Sequence, residues 1–473
     1  MRKTGWWSML LVLWAGLSWC QAQSDPGMSG TGKVVRVKEV FILGNQKTKS
    51  NIILREMQLT KGAVLTDTLI AGTIELDKQR IYNTNLFNEV DIQLLYSSPE
   101  ELMVLVTVDE RWYIYPSFIF KLADRNLNDW WVNQNRDLSR VNLGLRYQQY
   151  NFRGRRELLN LIFQLGFERD FLASWRIPYI EKSQKHGLSI SASYSESRNA
   201  GFRTEDHVRQ FISADRLLRK STRGSVTYRF RKSYYNFHRV QLTFDHKSID
   251  DTVATLNPNY FGNGATKQRH FDIIYQFTRD LRNNNNFATK GHYLNLRMEK
   301  TGLGIYNQVD IFDINLTYRQ YFDLGKQFSV STGVEAFSSW PKNQPYIDYS
   351  GVGFLQTLVR GYEQDLIEGH QYFLYKSTLR RRLFKHTQNL GRLMPLKQFR
   401  KVPIALYAKV FFDGGWVNNY PQYELSERLT NKHLYGMGAG FDVVTIYDLV
   451  TRFEWSMNAE GNVRFALSAK ADL

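Results

Sequence analysis

From Trp112 to the last residue the chain alternates between apolar and polar positions. Leu188, Ile190, Ala192 and Tyr194 are interleaved with Ser189, Ser191 and Ser193, and Val240, Leu242 and Phe244 with Gln241, Thr243 and Asp245. Phe312, Ile314, Leu316 and Tyr318 alternate with Asp313, Asn315, Thr317 and Arg319, and Phe453, Trp455 and Met457 with Arg452, Glu454 and Ser456. A repeat of two puts one set on each face of a β-strand. The segments are long, with an aromatic-rich apolar face and a charged opposite face. That pattern fits a membrane barrel with lipid outside and a polar lumen, whereas a soluble sandwich has shorter strands. Twelve candidate strands precede Val359 and five follow it. Barrels of this kind take an even number, so sixteen are expected, with one early candidate within 210–235 discounted.

Residues 34–111 follow a different rhythm. Residues 34–43 alternate as a strand, and Gly44-Asn45 is a turn. Residues 48–59 read as a helix with Ser50 as its cap, ended by Gly62, and 65–82 as a second helix. Two strands, 87–96 and 101–109, complete a small α+β domain of order β-α-α-β-β. The expected organisation is a signal peptide at 1–22, a linker at 23–33, this domain at 34–111, and an all-β, 16-stranded transmembrane β-barrel at 112–473.

Composition narrows the class. The chain has 473 residues, a net charge of +17 and one cysteine, and a mean hydropathy of −0.42. Beyond the leader no apolar run approaches the roughly twenty residues a membrane helix needs, which does not count against a barrel. Arg2 and Lys3, the apolar stretch from Trp6 to Trp19, and Cys20-Gln21-Ala22 make an export signal with cleavage near Gln23. Acylation of Cys20 is the other reading, although Trp19 is bulky for a lipobox. With cleavage, the mature chain has no cysteine to form a disulfide. The basic balance is assigned to lumen, turns and loops, where it meets anionic lipid headgroups or lipopolysaccharide, and not to nucleic acid. No Gly-x-Ser-x-Gly elbow or metal-binding His/Glu run is present, so neither catalysis, a metal nor a cofactor is expected.

One stretch is odd for a surface loop: Val359-Arg360-Gly361-Tyr362, between the two series of strands. A guanidinium carried into a partly dry place needs a carboxylate. Along 405–417, Leu406, Ala408, Val410, Phe412 and Trp416 share the apolar face, so parity turns Tyr407, Lys409, Phe411 and Asp413 to the lumen. Asp413 is the expected partner. On the next strand Gly436, Gly438 and Gly440 occupy the lumen face, which admits close approach of another backbone.

The first domain resembles a POTRA (polypeptide-transport-associated) module in Val-x-x-x-Gly-Asn-x-x-Thr at 40–48, Ile53-x-Arg55-Glu56-Met57, Leu86-Phe87-x-x-Val90 and Val106-x-Val108-x-Glu110. The remainder is similar to the BamA/TamA-type outer-membrane assembly superfamily, in Val359-Arg360-Gly361-Tyr362, Phe411-x-Asp413-x-Gly415 and Asp280-x-Arg282-Asn283 with Phe287 and Gly291. The resemblance implies a bacterial outer-membrane barrel with a periplasmic POTRA domain, whose loop around 340–370 folds into the lumen and locks Arg360 on Asp413. It also implies a weak lateral seam between 115–122 and 463–471, with Phe118, Phe120, Phe465, Leu467 and Ala469 along it. The implied function is capture of unfolded or nascent exported polypeptide by the POTRA domain, followed by insertion or translocation, with periplasmic accessory proteins as further partners. A translocator dedicated to one exported protein, and a structural barrel without insertase activity, are the alternatives. The sequence departs from the family at Thr378, where an acid is expected; Glu363, Asp365 and Asp442 are the candidates to replace it. It also ends in Leu473 instead of an aromatic residue, and carries a basic stretch at 380–401 read as a solvated periplasmic turn, with binding of a partner or of anionic lipid as the alternative.

Overall fold

The computed structural model describes residues 33–122, 141–353, 357–421 and 427–470. The leader with Cys20, most of the linker and Leu473 lie outside them. Two compact units are present, one formed by the chain up to Leu43 with Met57–Lys78 and Asp91–Thr107, the other by Gly44–Glu56, Gln79–Val90 and Val108–Leu473.

The N-terminal elements are β1 (Val34–Leu43), α1 (Ser50–Leu54), β2 (Val64–Thr66), α2 (Asp67–Tyr82), β3 (Phe87–Ser98) and β4 (Glu101–Glu110). They form a four-stranded sheet of order β2-β1-β4-β3, with β1 antiparallel to β2 and parallel to β4. Val37, Leu59, Ile70, Leu102, Val104 and Val106 are buried in the first unit. The order is therefore β-α-β-α-β-β, not β-α-α-β-β. After the turn at Gly62 (φ +85°), residues 64–66 pair with the start of β1, so the second helix begins only at Asp67. The first helix is also shorter than its apolar spacing predicts. The Thr48 N–H and hydroxyl donate to Glu110 Oε1 at 2.6 and 2.5 Å, which holds that residue outside the helix. At the other end the Gln58 and Leu59 N–H groups donate to the Asp77 carboxylate at 2.9–3.0 Å.

In the second unit sixteen strands form one antiparallel sheet. They are β5 (Ile114–Leu122), β6 (Val141–Phe152), β7 (Glu157–Gly166), β8 (Glu168–Ile177), β9 (His186–Ser197), β12 (Arg219–Arg231), β13 (Asn236–Ile249) and β14 (Lys267–Asp280). The series continues with β15 (Gly291–Thr301), β16 (Ile311–Gly325), β17 (Phe328–Trp340), β20 (Gln371–Asn389), β21 (Lys401–Asn418), β22 (His433–Val444), β23 (Val450–Asn458) and β24 (Val463–Lys470). Five of the sixteen follow Val359. The strand inside 210–235, β12, belongs to the barrel; the discounted pairing lies earlier, where β11 (Val208–Ser213) overlaps only the start of that range and pairs with β10 (Asn199–Glu205) in a separate hairpin. Among the described residues no helix is long and apolar enough to cross a membrane; the strands span it.

Outward positions carry the apolar side chains: Ile190, Val226, Leu242, Ile273 and Val410 are exposed. Inward positions such as Thr227, Thr243, Asp245, Lys409 and Asp413 are buried. The end from which β5 rises is called proximal here, and the opposite end distal. The turn from β14 to β15, at the proximal end, is tightly made. Arg282 donates twice to Asp280 at 2.7 and 2.8 Å, and Asn283 Oδ1 accepts from the N–H groups of Thr289 and Lys290 at 3.1 Å.

Candidate functional site: a loop docked in the lumen

Between β17 and β20 the chain turns into the barrel. Two short strands, β18 (Gly351–Val352) and β19 (Ile367–Glu368), pair antiparallel and close the base of the loop. At its tip the Tyr362 N–H donates to the Val359 carbonyl at 3.1 Å, and Gly361 sits at φ +97°. That value at the third position of a turn favours glycine. Val359 and Tyr362 are fully buried with Val352, Ile367, Leu374, Val417 and Leu434. The tip is thus held by an apolar cluster as well as by charge.

Arg360 projects from this turn onto the lumen wall. Its Nε and Nη2 donate to Asp413 Oδ2 and Oδ1 at 2.8 and 2.5 Å, and its own backbone N–H reaches Oδ2 at 3.2 Å. Asp413 has no exposed surface. A two-pronged contact of this kind is among the stronger charge-assisted arrangements. The guanidinium also lies over the Phe411 ring, 3.8 Å from its centre, a stacking interaction favoured by a desolvated site. Phe411 and Asp413 share the inward face of β21, the parity expected from the sequence.

The three glycines of β22 play unequal parts. A Cβ at Gly436 would collide with the Arg360 carbonyl oxygen, so this position admits the loop backbone itself. At Gly438 a Cβ would meet first the Trp455 carbonyl oxygen of β23 and then the Phe411 ring, on which the guanidinium rests, at 2.6 Å. At Gly440 the obstacle is the backbone of β23. Gly436 alone makes room for the loop backbone; Gly438 and Gly440 face the backbone of β23 first, with the Phe411 ring also close to Gly438.

The second acidic neighbour of Arg360 is Glu454 on β23, at 3.4 Å from Nη1. None of Glu363, Asp365 and Asp442 takes that place. Glu363 accepts from the Gly361 N–H at 2.8 Å, and Asp365 pairs with Arg428 and Arg464 at 3.1 and 2.7 Å. Asp442 pairs with Lys409 and lies 3.3 Å from Arg380. Thr378 stands beside the guanidinium and accepts from Nη2 at 3.0 Å, so a hydroxyl does part of the work of the expected acid. Lys409 reaches Glu454 at 2.9 Å and links the two groups into one network across β20 to β23. Glu454 alternates with Phe453 and Trp455, so its inward direction was readable; its height opposite Arg360 was not.

Phe118, Phe120, Phe465, Leu467 and Ala469, the residues expected along a seam, lie on β5 and β24, the two ends of the sheet order. Phe118 is 90% exposed and Phe120 64%, and Phe465 and Leu467 are exposed as well. Ala469 pairs with Thr451 of β23. Among the described residues no register joins β5 to β24.

A second buried ionic cluster lies at the proximal end of the same unit, and sequence reading did not find it. Glu56, 2% exposed, accepts from both Nη atoms of Arg231 at 2.7 Å, with Arg156 and Arg55 each at 3.7 Å. Arg55 stacks on Tyr179, 4.0 Å from the ring centre. Burial alone would raise the Glu56 carboxyl, but Arg231, with Arg156 and Arg55, outweighs it and holds the group below the usual carboxylate range. Burial pushes the Arg55 guanidinium down to about 10. Glu56 stood inside a motif already singled out, yet nothing in the sequence pointed to Arg231, far along the chain.

A sixteen-stranded antiparallel barrel with a loop pinned inside it, preceded by a small mixed-sheet domain, defines an outer-membrane barrel class. Residues 151–449 match the Omp85 superfamily domain, and 35–111 match POTRA, a surface antigen variable number repeat. This chain belongs to the Omp85 superfamily. Among solved structures, CdiB from Escherichia coli is similar at 12% identity and a TM-score of 0.51, over 92% of this chain and 75% of that one. BamA from Haemophilus ducreyi lacking POTRA domains 1–3 is similar at 15% identity and a TM-score of 0.49, over 92% and 84% of the two chains. CdiB from Acinetobacter baumannii gives 11% and 0.47, over 92% and 73%. At these identities the likeness concerns fold alone. No curated protein sequence matches the chain. Family membership carries a general role in inserting or translocating polypeptide at the bacterial outer membrane, with the POTRA domain in the periplasm.

Proposed function

We propose that this protein is an outer-membrane assembly factor that inserts client polypeptides at the seam between β5 and β24, with the POTRA sheet as the site of capture. The observation that carries the reading is the pair of sheet ends. Among the described residues β5 and β24 share no register, and both present bare aromatic and aliphatic side chains toward lipid. A strand edge with unpaired N–H and C=O groups is a template for another strand. In the POTRA sheet the long outer strand is β3, at the end of the order β2-β1-β4-β3, which suits strand addition by extended polypeptide. Arg360 and Asp413 then have a conformational role, fixing the loop so that the lumen stays filled while the seam works.

Depletion followed by proteomics of the outer membrane tests this reading. An insertase predicts a broad fall in barrel proteins, and deletion of residues 34–110 should reproduce it while leaving a folded barrel. Loss of one exported protein alone would make the chain a dedicated translocator. Unchanged outer-membrane content would leave a structural barrel.

A further inference from the structure

The basic stretch at 380–401 is not a loose turn. β20 and β21 stay paired from Gln371↔Asn418 to Asn389↔Lys401, well beyond their neighbours. The pairing of β20 with β17 stops at Phe328↔Arg381, and the last outward bond is from the Arg382 N–H to the Gln327 carbonyl at 2.9 Å. Among the described residues, 384–389 therefore form a strand whose outer edge no other strand pairs, about 20 Å long at the usual rise per residue, extending beyond a bulge at Leu383 from the proximal end of the barrel. The Leu390 N–H donates to Arg400 on the partner strand. By alternation, the N–H and C=O groups of Lys385, Thr387 and Asn389 turn to the open side. Opposite Thr387 stands Pro403 in a non-hydrogen-bonded pair, so its missing N–H costs the hairpin no bond.

The charge of this edge is one-sided. Arg381, Arg382, Lys385, Arg392, Lys397, Arg400 and Lys401 lie within 381–401, and no Asp or Glu occurs between Glu368 and Asp413. Leu383, Phe384, Leu393 and Leu396 are exposed among them, Leu393 at 89%. One carboxylate already docks here: Glu89 reaches Lys401 at 2.7 Å.

We propose that the free edge of this hairpin binds an extended, acidic polypeptide segment as an added β-strand, in the periplasm beneath the barrel. The site goes beyond the function proposed above, because its open edge belongs to β20 and not to β3 or the seam strands, although Glu89 at the start of β3 touches the hairpin. Open backbone groups favour a polypeptide over a lipid headgroup, since only a polypeptide can pair with them in register. The cationic side chains select for acidic sequences and speed encounter.

The test uses the full-length protein in phosphatidylcholine nanodiscs, with a fluorescein-labelled ten-residue peptide of alternating Glu and Val, read by anisotropy. Binding is expected. Lys385→Glu with Arg392→Glu should weaken it at least about tenfold. Thr387→Pro removes one outward N–H, keeps every charge and spares the hairpin pairing, and should weaken binding about fivefold. A peptide of the same charge interrupted by proline should bind as weakly as the charge-reversed variant binds the parent peptide. Equal binding by Thr387→Pro and the unaltered protein would make the contact purely ionic and overturn strand addition. No peptide binding, with the protein instead retained on phosphatidylglycerol vesicles through the same arginines and lysines, would assign the hairpin to the membrane surface and also overturn it.

Discussion

Arg360–Asp413 and Arg231–Glu56 are the same chemical device in two places. Each is a two-pronged guanidinium–carboxylate contact with a nearly inaccessible acid. They differ in what surrounds the acid. Among the described residues Asp413 takes its three short contacts from Arg360, with Lys376 opposite it on β20 as a longer-range charge. Glu56 has three arginines around it, Arg231 at 2.7 Å and two more at 3.7 Å. Breaking a buried pair costs most when the survivor is left with no partner. The lumen pair is therefore brittle and the proximal cluster tolerant. The loop tip thus rests on one ion pair together with its apolar cluster, whereas the Gly44–Glu56 segment is anchored through several arginines.

Arg360→Ala should show the largest effect. It strands Asp413 and is expected to destabilise the docked loop by about 3–5 kcal/mol, seen as new protease cleavage within 340–370 and a lower heat-modification temperature. Cleavage and melting like those of the unaltered protein would remove the lumen pair from the account. Arg231→Ala should cost less, about 2 kcal/mol, because Arg156 and Arg55 remain beside Glu56. A loss equal to that of Arg360→Ala would erase the contrast between the two clusters.

The third expectation concerns pH. The folded Glu56 carboxyl is held below its unfolded value of about 4.3. Its pairing therefore contributes fully above that value and is lost as pH falls through the depressed folded value. The stability gap between the unaltered protein and Glu56→Gln should be constant near neutrality and close under acid. A gap that widened on acidification would reverse the sign and refute the assignment. The smallest effect is expected for Thr378→Val, which removes one hydroxyl acceptor from Arg360 and should cost about 1 kcal/mol. No change there would mean that Asp413 and Glu454 suffice.

How much of this was legible follows the same division. Period-two alternation gave the direction of Asp413, Phe411 and Gly436, because parity is a local property of a strand. The number of barrel strands followed from the same signal once an even count was required; β11, with Arg209 beside Gln210 and Phe211 beside Ile212, breaks the alternation and pairs with β10 outside the barrel. Glu454 was visible as inward but not as a neighbour of Arg360, since its height depends on the register of β23 against β22. The length of α1 was misjudged because Glu110 and Asp77, distant in sequence, take the N–H groups at its flanks. Glu56–Arg231 was invisible for that reason too. The basic stretch was legible as charge, but its continuation as paired strand depends on residues 401–406 meeting 384–389 across the hairpin.

The most direct test of the account is a double-mutant cycle on the lumen pair. Arg360→Ala, Asp413→Ala and the double variant would be compared for thermal stability and for hydrogen exchange at the amides of 359–362. The account predicts that the double variant is much less destabilised than the sum of the singles, with a coupling of about 2–3 kcal/mol. Additive losses, with the amides of 359–362 equally protected in all three variants, would contradict it.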